Sequence, residues 1–163
     1  MSAYTWLFCV IGTAICWGSY GIAIHSGNVN LGNPWKAFLL VGIAYFVIAV
    51  IVPVGILSTT KPEGAFQFTG GNFSAGTKAA ALAGTLGALG ALFVILAMKS
   101  AREHHGAGAV QYVMPLVFGM APVVNAVVAG IMHPPKSIHW QFYAGLALLG
   151  AGAGLVMYYR PSH

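Results

Sequence analysis

The stretch Trp35 to Leu57, WKAFLLVGIAYFVIAVIVPVGIL, carries one charge, Lys36, and that charge stands at its edge. As a helix rising about 1.5 Å per residue it is long enough to cross a hydrocarbon layer of about 30 Å, and it is apolar on every face. Four more runs of similar length surround it: Tyr4 to Ile24, Thr77 to Met98, Gly106 to Met132 and Trp140 to Tyr159. Between them lie HSGNVNLGNP, a long loop at about 58–76, KSAREHH and HPPKSIH, each combining Gly, Pro, Asn or charge. Continuous rather than alternating apolar runs exclude a transmembrane β-barrel. The expected architecture is therefore all-α: a polytopic transmembrane bundle of about five helices in one domain spanning residues 1–163.

Composition agrees. Of 163 residues, 58% are apolar and 6% charged, against roughly 25% charged in a soluble domain. Glu63 and Glu103 are the only acids, so the net charge of +5 reflects scarce acid rather than abundant base. The seven basic residues are scattered singly, which excludes the basic stripe of a nucleic-acid binder. Cys9 and Cys16, seven apart on one helix, are separated by about 10 Å and cannot bridge each other. No Lys or Arg precedes the first apolar run, so it is expected to be a retained span rather than a secretory signal. Trp6, Trp35, Trp140, Tyr158 and Tyr159 fall at run ends, where amphipathic rings sit at headgroup depth.

Orientation is weakly specified. With five spans, Lys61, Lys78 and Lys136 lie on one side and Lys36, Lys99, Arg102 and Arg160 on the other. The positive-inside rule has almost nothing to act on. Two outcomes stay open: one orientation fixed by Lys99 with Arg102 or by helper factors, or insertion both ways and antiparallel pairing, which rebuilds an inverted repeat.

Small residues let helix backbones approach in lipid. Gly84, Gly87 and Gly90 recur every three residues in the third span, Gly150 and Gly154 form a GxxxG in the fifth, and Gly12, Ala14, Gly18 and Gly21 thin one surface of the first. The fourth span holds Pro115, Gly119 and Pro122, expected to break the helix, since each proline leaves the carbonyl four residues back without its N–H. Gln111, Tyr112 and Asn125 bracket these positions. They either hydrogen-bond between helices around a kink or line a solute path. Pro53 in the second span has no polar neighbours and is expected to kink it for structural reasons only.

Neither glutamate falls within a span, so the buried counter-charge needed to export lipophilic cations is absent, and a neutral or anionic solute is favoured. The six histidines stand near span ends, where they serve as interfacial polar groups or couple protons. No nucleophilic triad, phosphate loop or metal-ligand spacing is present, so neither an enzyme nor a cofactor or metal site is expected.

CWGSYG in the first span, GGNFSAGTKAAALAGTLGALGALFVILAMKSA, QYVMPLVFGMAPVVNAVVAG and FYAGLALLGAGAGLVMYYRP together resemble the drug/metabolite transporter superfamily over nearly the whole chain. The resemblance is to the five-helix EamA-type half-unit, nearest the rhamnose and glucose uptake branch. It implies half of a ten-helix inverted-repeat transporter, working as a homodimer or paired with a sister membrane subunit in the inner (plasma) membrane. A small-molecule solute, sugar-like by preference, is then expected to meet Trp17, Ser19 and Tyr20 of the first span and Gln111, Tyr112 and Asn125 of the fourth. The competing expectation is a non-transporting assembly subunit whose glycine faces dock onto a larger membrane complex.

Overall fold

The structure is a computed structural model that describes residues 4–133 and 137–160, and it contains no strand among them. Six α-helices form: α1 (Thr5–Leu31), α2 (Pro34–Phe46), α3 (Val52–Thr60), α4 (Gly71–His105), α5 (Val110–Met132) and α6 (Trp140–Tyr158). A π-helical turn, Val47–Ile51, joins α2 to α3, so that Pro34–Thr60 is one rod. Five helical rods are thus long and apolar enough to cross a membrane. Their flanks remain exposed along most of their length, with Phe8, Ile22, Leu39, Ile48, Leu82, Phe93, Ile131 and Leu148 all more than half open. In water that surface would drive aggregation; in hydrocarbon it costs nothing. The chain is a multi-pass membrane protein.

Helix ends differ from the sequence expectation: α1, the second rod and α4 overrun their apolar runs, whereas α5 begins at Val110 rather than Gly106, after a 3-10 turn at Ala107–Ala109. HSGNVNL, expected as a break, is the last part of α1, where the Asn30 side-chain amide donates to Ser26 Oγ at 3.2 Å. The helix stops only at Gly32, whose φ of +61° an L side chain rarely adopts. Asn33 then caps α2, its side-chain oxygen accepting from Trp35 N at 2.8 Å, with Pro34 in the first turn. α3 ends at Lys61, which is left-handed (φ +42°) and donates its N–H to Leu57 O. The loop is therefore residues 61–70 rather than 58–76, and the Thr77 hydroxyl ties α4 back to it through Phe68 O. KSAREHH, expected as a turn, is the final turns of α4, where Lys99 and Glu103 pair at 3.7 Å. The reason is common to these ends: a helix satisfies its own backbone, so polar side chains at the membrane edge do not by themselves end it.

Pro115, Gly119 and Pro122 all lie within one helix. α5 runs through all three without interruption. Each proline denies one N–H to the carbonyl four residues back, at Gln111 and Phe118, yet the flanking turns hold the helical path. The irregular span is instead the second, whose π turn immediately precedes Pro53.

Contacts divide the chain into two compact units, Met1–His25 with Ala97–His163, and Ser26–Leu96. In the first, α5 lies along α6. Gly119 makes this approach possible, because a Cβ there would stand 2.9 Å from the Cβ of Ala153, which is buried. Gly21 of α1 makes room in the same way for the side chain of Met114. Ile24, Met98, Gly108, Ala109, Tyr112 and Val113 complete the buried set of this unit among the described residues. The second unit holds the end of α1, α2, α3 and most of α4. Gly27 faces Ala37 at the start of α2, and Asn28, Ala37, Ala91, Val94 and Ile95 are its buried residues.

Candidate functional site

Trp17 and Gly18 of α1 and Val117, Phe118 and Ala121 of α5 line an open groove of about 850 Å³ within the first unit, together with Cys9, Val10, Thr13 and Ala14. That volume is ample for a small metabolite. Its walls are almost wholly apolar. The Thr13 hydroxyl is turned to its own helix, donating to Cys9 O at 2.9 Å, and no charged residue borders the space. An aromatic corner gives it shape: Trp17 meets Phe118 edge to face at 6.1 Å between ring centroids, and Tyr20 at 5.7 Å. Cys9 and Cys16 are both free thiols.

The residues expected to bind solute are distributed unevenly about this groove. Trp17 lines it and touches Tyr20. Ser19 is exposed on α1 and is not part of the lining. Gln111 and Asn125 are exposed on α5, seven residues to either side of Phe118. Seven residues are two helical turns within about 20°, so Gln111, Phe118 and Asn125 share one stripe of α5. The carbonyls denied an N–H by Pro115 and Pro122, those of Gln111 and Phe118, lie on that same stripe. Tyr112 does not join them. It is 3% exposed and borders a different depression with His104 and His105, on another flank of α5. Phe118 is the residue that sequence reasoning passed over, and its signal was the seven-residue spacing from Gln111 and Asn125.

Among the described residues no group of three or more His, Cys, Asp or Glu could hold a metal ion. Comparison of the chain with known protein families, with curated proteins and with solved structures finds no match.

Proposed function

We propose that this protein is one half of a membrane transporter for a small neutral or anionic metabolite, sugar-like by preference, built as a homodimer of five-helix units of the drug/metabolite type and acting in the inner (plasma) membrane. One observation carries the reading. A stripe of α5 places two amides, Gln111 and Asn125, and an aromatic ring, Phe118, beside an apolar groove of metabolite size. Exposed amides within a span are costly against lipid, so this stripe calls for a wet cavity or a second subunit over it. Trp17 and Phe118 then stack on the apolar face of a ring-shaped solute, with Tyr20 alongside. Gln111 and Asn125 hydrogen-bond its hydroxyls, and the unpartnered helix carbonyls of the stripe accept from them. The lack of a charged lining residue favours a neutral solute over a cation.

The test is uptake of labelled rhamnose and glucose into vesicles reconstituted with the purified protein. Asn125→Leu is expected to abolish uptake while leaving membrane yield unchanged; equal loss of both would reduce Asn125 to a packing residue. A C-terminal topology reporter adds the assembly. A mixed signal that Lys36→Ala resolves supports antiparallel pairing, and a single orientation resistant to that change removes it.

One observation favours the alternative of a non-transporting assembly subunit: Gly84, Gly87 and Gly90 meet nothing within 4 Å, leaving a smooth helix surface open to a partner. Cross-linking separates the two readings, since a transporter of half-units traps a second copy and an assembly subunit traps a different protein.

A further inference from the structure

The other depression of the first unit, about 360 Å³, sits where α4 ends and α5 begins, and its lining changes character along its length. At the helix ends it is bordered by His104, His105 and Tyr112. Deeper along α4 and α5 the lining is Ala97, Ser100, Ala101, Val113, Leu116 and Val117, apolar but for the Ser100 hydroxyl. From Ala97 to His105 α4 rises about 12 Å, so a polar mouth gives way to a mostly apolar wall within one bilayer leaflet.

Basic groups gather at this end of the unit. Arg102, His104 and His105 belong to the last turn of α4, of which His104 and His105 line the depression, and Arg160 follows α6 with its guanidinium 3.8 Å from the sulfur of Met157, which itself lines the depression. The acid of the same turn, Glu103, is paired with Lys99, and neither of these lines the depression. At the junction of mouth and wall stands Tyr112. Its ring packs edge to face against His105 at 6.1 Å, and its hydroxyl is buried without a hydrogen-bond partner. A buried hydroxyl that bonds nothing is rare enough to require an explanation.

We propose that this is a binding site for an anionic phospholipid, with the phosphate among Arg102, His105 and Arg160, the buried Tyr112 hydroxyl donating to a phosphate or ester oxygen, and an acyl chain along Ala97, Ala101, Leu116 and Val117. The gradient chooses a lipid over a free anion: a soluble anion would use the mouth and leave the apolar wall idle. The location chooses it too, because the charged groups end membrane-crossing helices, at the depth of the headgroups. The polar mouth of this site lies away from the solute groove, and the two meet only at Val117 of α5, which lines both.

The test is native mass spectrometry of the full chain in detergent, titrated with phosphatidylglycerol and phosphatidylcholine of identical acyl chains. One phosphatidylglycerol is expected to bind per chain, about tenfold tighter than phosphatidylcholine. Arg102→Gln with Arg160→Gln should abolish that preference. Tyr112→Phe, which keeps the ring and its packing, should weaken it severalfold without lowering the melting temperature. Lys61→Gln with Lys78→Gln removes the same charge elsewhere and should change nothing. Equal affinity for the two lipids, equal loss in the lysine variant, or displacement of the lipid by glycerol phosphate at matched concentration would each overturn the proposal, the last in favour of a free anion.

Discussion

Two stretches of this chain are written in the same small-residue language, and the fold uses only one of them as a close contact. Where α5 passes α6, Gly119 faces Ala153 so closely that one added methyl would stand 2.9 Å from the opposing Cβ. In the first half of α4, Gly84, Gly87 and Gly90 recur at helical spacing, yet a methyl on any of them would meet nothing within 4 Å. The sequence advertises the second more loudly. The lesson is that glycine spacing marks where a helix can be approached, whereas the register of the neighbouring helix decides where it is approached. Even in α6 the evident GxxxG, Gly150 with Gly154, lies in open space, and the contact runs through Ala153 and the carbonyl of Leu149 instead.

The largest expected effect follows from filling the tight contact. Gly119→Val should destabilise the protein by about 3 kcal/mol, the upper range for overpacking, read as a fall in folded yield and in the denaturant midpoint in detergent. Pairing the milder Gly119→Ala with Ala153→Gly should restore most of what Gly119→Ala alone loses; a failure of that rescue would break the assignment of this contact. Gly21→Ala comes next, at about 2 kcal/mol, because the added methyl would run into Cγ of the buried Met114, so that the whole side chain must change rotamer. Gly87→Val should leave thermal stability within about 0.5 kcal/mol, as expected for a surface change. The same variant sharpens the comparison if it lowers the cross-linked dimer fraction, since the open face of α4 would then be the seat of a second copy. The smallest effect belongs to Glu103→Gln, which breaks a half-exposed pair with Lys99 and should cost at most about 0.5 kcal/mol in the same melt.

The helix boundaries show which signals in a membrane sequence are strong. Charge, Asn and Ser in HSGNVNL and KSAREHH looked like interruptions, and both segments are helical because nothing in them requires the backbone to leave helical φ. The stops at Gly32, Lys61 and Gly106 take positive φ, whereas α5 and α6 end at His133 and Tyr159 with negative φ. Pro115 and Pro122 show the converse, since a residue that only withholds an N–H leaves α5 continuous. The candidate groove was half legible. Trp17 was singled out and lines it, and Gln111 and Asn125 flank it on the stripe of Phe118. Tyr112, one residue from Gln111, is turned by about 100° to another side of the helix and into another depression.

By itself the sequence determined the solvent and the number of crossings: five apolar rods have no stable home in water, and each satisfies its own backbone in lipid, so both facts are local to each run. Tertiary structure alone decided which small residues touch, that Phe118 rather than Tyr112 meets Trp17, and that Tyr112, with its hydroxyl buried and unpartnered, packs against His105 at the end of α4. The physical reason is that lipid surrounds every face of a span with equally apolar surroundings. Hydrophobicity then cannot say which face turns inward, and that choice falls to steric fit between helices far apart in the chain.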